Sequence, residues 1–170
     1  PLVGMAVPRY ATILAADKWK GTPGGWVIEV MTRIIYVARG EPDRAALAEC
    51  LRILRAGKTL AVAPEGTRSR QPGLQEGHDG VSYLASRTGA PIVPVAVWGQ
   101  EKAFHALARF RRADVHLCFG SPIILPPEAA RARGVELHRY TEGVMVSIAT
   151  MMPPEYRGVY AQRAQAGLQD

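Results

Sequence analysis

The residues best suited to chemistry stand together at Val62-Ala63-Pro64-Glu65-Gly66-Thr67-Arg68-Ser69-Arg70. A short apolar run ends at Pro64. An acid, a glycine, two hydroxyls and two arginines follow. Gly66 lets the backbone approach a ligand closely or take a positive φ. Backbone N–H groups, Thr67, Ser69 and the Arg68 fork could together hold a phosphate, because a guanidinium matches its oxygens bidentately. The same residues could form a charged surface turn, with Glu65 paired to an arginine. Residue types alone leave both readings open.

Other candidates are weaker. Lys18 and Lys20 flank Trp19, a pattern for lipid head groups or for two solvated lysines beside a packed ring. Trp26 to Met31 could face the membrane or an acyl chain, or lie in the core. Arg109, Arg111 and Arg112 around Phe110 could attract an anionic surface or line a solvated loop. His78, in Glu76-Gly77-His78-Asp79-Gly80, reads as a loop residue or a substrate contact. His138 and Glu142 share a helix face at i, i+4 and read as a surface pair. Cys50 and Cys118 are isolated and read as reduced, partly buried thiols, a disulfide between them being the alternative. Their spacing is not of a metal-binding type.

These residues need elements to place them. Tyr10 to Ala15, Ile34 to Val37, Thr59 to Ala63, Ile92 to Val97 and Val115 to Phe119 read as strands. Pro94 argues for an edge or bulge position in the fourth. Trp26 to Thr32 reads as a short helix or turn. Helices are expected over about Pro42 to Ala56, Gly80 to Thr88 and Val135 to Ala149, with Gly57, Gly89 and Pro153-Pro154 as stops. In the first helix Leu47, Leu51 and Leu54 mark the expected apolar stripe. The alternation predicts an α/β fold, a mixed, largely parallel sheet flanked by helices. Pro64 then sits at a strand's carboxyl end, where open α/β sheets bind ligands. A single domain over residues 1–170 is expected, with 161–170 fraying.

Composition sets wider bounds. The 170 residues are 48% hydrophobic and 21% charged, which excludes collagen, coiled coil and a wholly disordered chain. The net charge is +6, and a basic balance favours anionic partners. Residues 1–70 hold 11 Lys+Arg against 6 Asp+Glu, so +5 of that +6 falls there. Scattered basic residues without a recognised motif argue against nucleic acid. No run of about 18 apolar residues encodes a spanning helix. No signal peptide is apparent.

Pro64-Glu65-Gly66-Thr67-Arg68-Ser69 resembles the FPEGTRS block of the glycerophospholipid acyltransferase family. Three further stretches resemble that family in the right order. Tyr36-Val37-Ala38-Arg39 is similar to its second block, and Ala90 to Ala96 to its fourth. Pro154-Glu155-Tyr156-Arg157-Gly158-Val159-Tyr160 is similar to the tail of bacterial members. The family's first block, His-x4-Asp, does not occur here. Five residues beyond His78, His105, His116 and His138 stand Tyr83, Phe110, Ser121 and Gly143. The expectation is that this pair lies upstream of Pro1. A non-catalytic lipid- or phosphate-binding homologue is the alternative.

The resemblance implies general-base acyl transfer. The His of the missing pair would take a proton from a glycerol hydroxyl, and the oxygen would attack a thioester carbonyl of acyl-CoA or acyl-carrier protein. It implies an acceptor such as 1-acylglycerol-3-phosphate, no cofactor and no metal. Arg39, Glu65, Gly66, Thr67 and Arg68 would hold the acceptor, and Pro94 would shape the strand near the acyl donor. A lysolipid acceptor further implies the cytoplasmic face of a membrane, reached peripherally or through segments outside this chain.

Overall fold

The computed structural model describes residues 12–16, 33–37, 44–66, 73–102, 112 and 114–167. The chain divides into two compact units, Pro1–Ala63 and Pro64–Asp170.

In the first unit, strand β1 (Thr12–Ala16) lies between β2 (Arg33–Val37) and β3 (Leu60–Ala61). Both pairings are parallel. Thr12 faces Arg33 on one side and Leu60 on the other. The Thr12 N–H donates to the Thr59 carbonyl at 2.9 Å, which extends the β1–β3 ladder by a residue. Parallel neighbours cannot be joined by a hairpin, and helix α1 (Arg44–Arg55) occupies the connection from β2 to β3.

Ala, Leu and Arg dominate α1, all good helix formers. Its buried line is Ala46, Cys50 and Ile53, with Leu47, Leu51 and Leu54 half-buried beside it. The expected leucine stripe is thus displaced by one residue. Small Ala46 and Cys50 sit where the helix is most enclosed, and the leucines form the flank. Arg52 and Arg55 fall in the last turn, where a cation suits the helix dipole. The N–H of Gly57 donates to the Leu54 carbonyl and that of Lys58 to the Ile53 carbonyl, the paired bonds of a Schellman end.

The second unit is built around helix α3 (Val135–Thr150). Leu137, Thr141, Val144, Met145, Ile148 and Ala149 are its buried residues, a helical stripe of one face. Val144, Met145, Ile148 and Ala149 join Leu74, Ala85, Ile92, Ala96, Met152, Tyr160 and Ala164 in the core. Helix α2 (Gly80–Thr88) packs on α3, and its Ser82 hydroxyl accepts a bond from buried Thr141 at 2.9 Å. The α2 limits match those expected, with the Gly89 N–H returning to the Ala85 carbonyl at 2.8 Å.

Strands β4 (Val95–Trp98) and β5 (His116–Phe119) pair antiparallel, Val95 opposite Phe119. The strand expected from Ile92 is broken at Pro94, which has no N–H to give a ladder. Ile92 makes only an isolated bridge to Ile123, and the Pro94 carbonyl takes the Gly120 N–H at 2.9 Å. Beyond α3, turns at Pro154–Tyr156 and Gly158–Tyr160 lead into a short helix α4 (Ala161–Ala166), whose Ala164 is fully buried. Of the stretch 161–170 expected to fray, residues 161–167 are described, and Ala161–Ala166 are helical.

Helices and strands are mixed as expected. One largely parallel sheet is not what is described. The parallel pairing belongs to three short strands and the other sheet is antiparallel. Among the described residues no helix is long and apolar enough to cross a membrane.

Candidate functional site

The second unit opens on the turn Pro64-Glu65-Gly66. Gly66 has φ +63°, in the left-handed region that suits glycine. It also leaves room for an imidazole. A β-carbon at this position would lie 2.8 Å from His78 Cδ2. His78 is exposed, and its backbone N–H donates to the Pro64 carbonyl at 2.8 Å. The same residue therefore ties the turn by its main chain and covers it with its ring.

Glu65 is half-buried. Burial pushes its carboxyl above the usual carboxylate range, and the backbone N–H of Gln75 pulls it partly back by bonding the charged form. Gln75 and His78 thus reach the turn from one segment, Leu74 to His78. Together Glu65, Gly66 and His78 present a carboxyl, an open stretch of backbone and an imidazole edge. Such groups can bond hydroxyls of a small polar ligand.

The Leu74–His78 segment is itself held from the far end of the unit. The Leu74 N–H donates to the Tyr156 carbonyl, and the Val159 N–H donates to the Leu74 carbonyl, both at 3.1 Å. Gly158 has φ +52°, and any β-carbon there would run into the Leu74 backbone. Gly77 is buried, and its N–H donates to the Tyr160 hydroxyl at 3.0 Å. A β-carbon on Gly77 would meet Met145 Cγ at 2.7 Å, so the segment lies tight against α3.

Asp79 stands at the N-cap of α2 but makes no capping bond there. Its carboxylate instead meets His138 Nδ1 at 2.9 Å. His138 Nε2 is 3.9 Å from Glu142 Oε1, and Glu142 also pairs with Arg163. The expected His138–Glu142 surface pair is present, and Asp79 is its closer partner. The Asp79 bond first, then the charges of Asp79, Glu142 and Glu76, raise the His138 pKa above its ordinary value.

The expected site residues are thus partly placed. Glu65 and Gly66 share one turn. Pro94, fully buried, belongs to the approach to β4, where its carbonyl pairs with Gly120. Arg39, Thr67 and Arg68 lie outside the described residues, as do Lys18 to Lys20, Trp26 to Met31, Arg109 and Arg111. Arg112 is exposed. Cys50 and Cys118 are free thiols, buried and half-buried. Among the described residues no group of three or more His, Cys, Asp or Glu is placed to hold a metal ion.

From sequence, Gly77 and Tyr160 figure only within wider stretches, and Leu74 and Gln75 are not singled out. Two signals could have found them. Glycines at 73 and 77 bracket the segment before His78, and the Pro154–Tyr160 stretch carries a glycine between Arg157 and Val159.

Residues 2–98 match the family model described as Acyltransferase. A chloroplastic 1-acyl-sn-glycerol-3-phosphate acyltransferase of Brassica napus is 30% identical over 103 residues, covering 58% of this chain and 30% of its own length. The 1-acyl-sn-glycerol-3-phosphate acyltransferase of Borreliella burgdorferi is 29% identical over 94 residues, 54% of this chain and 38% of its own. The crystal structure of the 1-acyl-sn-glycerophosphate acyltransferase PlsC from Thermotoga maritima aligns with a TM-score of 0.53 at 26% identity. That alignment covers 79% of this chain and 53% of the other. The chain spans only 30% and 38% of the length of the two curated relatives. The family match takes in more than half of the 170 residues and runs across both units, so the chain belongs to the acyltransferase family.

Proposed function

We propose that the full-length protein moves a fatty acyl group from a thioester, acyl-CoA or acyl-carrier protein, to the free hydroxyl of 1-acylglycerol-3-phosphate. The product is phosphatidic acid, a phospholipid precursor. The observation that carries this reading is the Pro64-Glu65-Gly66 turn. It has a positive φ at Gly66 and a half-buried carboxyl at Glu65, and it lies in a chain of the acyltransferase family. The names of the relatives point the same way.

The chemistry needs a base and a position. The acceptor O–H gives its proton to the base as its oxygen bonds the thioester carbon. The C–S bond then breaks, and the thiolate takes a proton and leaves. The base is the histidine of the family's His-x4-Asp pair, which residues 1–170 do not contain. Glu65, Gly66, Thr67, Arg68 and Arg39 hold the glycerol and phosphate of the acceptor. A bidentate guanidinium on the phosphate fixes the distance from hydroxyl to thioester. Pro94 shapes the strand near the acyl donor. The reaction uses no cofactor. Both units serve one acyltransferase domain, which works at the cytoplasmic face of a membrane. The +5 of residues 1–70 suits an anionic surface and a phosphate-bearing acceptor.

The test is acyl transfer by the full-length protein across lysolipid acceptors and thioester donors. Phosphatidic acid should form, and Arg68→Ala should raise the acceptor KM by about tenfold or more, the loss of a charge-assisted pair. The 170-residue chain alone should not turn over. Absence of transfer with every acceptor and donor overturns the proposal. Lysolipid binding without transfer selects the alternative, a lipid- or phosphate-binding homologue, which the lack of a His-x4-Asp pair in these residues favours.

A further inference from the structure

We propose that Tyr160 is a positioning residue for the acceptor turn, acting from the C-terminal segment through Gly77 and His78. The proposal rests on the reading of Pro64-Glu65-Gly66 as part of the acceptor site.

Two independent ties join the C-terminal segment to the loop that backs the turn. One is main chain to main chain, with Leu74 bonded to both Tyr156 and Val159. The other is a side chain. Tyr160 is only 3% exposed, its ring lies in the core, and its hydroxyl oxygen accepts the N–H of buried Gly77. The very next N–H, that of His78, donates to Pro64. The ring of His78 then lies against Gly66, and the Gln75 N–H reaches Glu65. Every described bond to the turn from this loop therefore starts within two residues of the Tyr160 anchor.

A phenylalanine ring would fill the same core space and lose only the hydroxyl. The Gly77 N–H would then be buried without a partner, which is costly. The loop relieves that by turning the Glu76–Gly77 peptide toward water. Turning it moves the His78 N–H off the Pro64 carbonyl. The acceptor turn loosens while the core stays filled.

This separates from a merely structural role. A turn that holds the acceptor in ground state and transition state alike changes KM and leaves kcat. In the full-length protein, Tyr160→Phe should raise the KM for 1-acylglycerol-3-phosphate about tenfold. The donor KM and kcat should stay within about twofold. Exchange of the His78 amide hydrogen should speed up about tenfold, ahead of the α3 amides. Thr88→Val is the control. It removes a hydroxyl that bonds the Leu84 carbonyl and takes the Ala90 N–H, away from the turn. It should lower stability with the acceptor KM unchanged.

An unchanged acceptor KM in an active Tyr160→Phe protein overturns the proposal and leaves the function standing. Equal losses of kcat in Tyr160→Phe and Thr88→Val overturn it too, by making Tyr160 structural only. If the parent protein transfers no acyl group, the function fails, and His78 exchange still decides the anchor. Unchanged exchange overturns it, and faster exchange confined to Gly77 and His78 supports it.

Discussion

The imidazole of His78 lies against the α-carbon of Gly66, so closely that a β-carbon there would come within 2.8 Å of His78 Cδ2. An exposed ring and a left-handed glycine share one small space. That pairing sets apart two costs which an alanine at position 66 would bring together.

Gly66→Ala should cost about 1–2 kcal/mol in urea unfolding from the φ of +63° alone. The contact with His78 adds little to the fold, because an exposed ring can swing away. It should matter more to the site, since the ring leaves its place over the turn. The acceptor KM should rise about tenfold, measured by steady-state transfer in the full-length protein. Adding His78→Ala should relieve the contact and leave the φ cost, so the urea midpoint should not recover.

Glu65→Gln tests the buried carboxyl. Its folded pKa lies above the unfolded one, so the protonated form is favoured by folding. Its contribution is most favourable below the ordinary carboxylate pKa and is lost as pH rises through the raised value. A neutral amide escapes that loss. Glu65→Gln should therefore melt about 2 °C higher than the parent near pH 7.5, with the gain fading as pH falls toward 4. Acceptor turnover should fall in the same variant, which marks the carboxyl as kept for function. Thermal melts at the two pH values check the sign.

His138 has a dependence of the same sign, from a bond rather than from burial. Its pKa is raised by the bond to Asp79, so the pair stabilises fully below the unfolded histidine value. That contribution disappears as pH rises through the raised folded value. Asp79→Asn and His138→Gln should each lower the melting temperature near pH 5.5 and match the parent near pH 9. A difference that persists at pH 9 would show that the link between Asp79 and α3 does not depend on charge.

Thr141 and Ser82 are both fully buried, with one hydroxyl donating to the other. Thr141→Val should cost about 1–3 kcal/mol, because it leaves the Ser82 oxygen without that donor. Thr141→Val with Ser82→Ala should cost less than Thr141→Val alone, since both polar partners are then gone. A double-mutant cycle by urea denaturation measures the coupling.

What the sequence made legible was local. Helix α2 ended where Gly89 stops it, and Pro94 broke its strand as a residue without an N–H must. Residue types alone placed a turn or loop at Glu65–Gly66 and left its role open. In α1 the helical period holds, and the buried line lies one residue from the leucine stripe. Ala46 and Cys50 are small enough to go where leucine is not. The pairing of the supporting segment with Tyr160 was not readable. Gly77 and Tyr160 are 83 residues apart, and no period or spacing rule connects positions so distant. The Pro154–Tyr160 stretch was noticed as a pattern, and its purpose emerged only with the bonds to Leu74 and Gly77.

That 83-residue separation has a consequence in time. A ribosome adding about 5–20 residues per second needs roughly 4–17 seconds to go from Gly77 to Tyr160. Throughout that interval the Glu65–Gly66 turn has left the ribosome's active centre, but its anchor has not been made. A nascent chain can close α2 and begin its core, yet the Glu65–Gly66 turn lacks this anchor until Tyr160 is synthesised. The support of the turn would thus arrive only after Tyr160 is made, with a folding step set by a long-range closure rather than by helix formation.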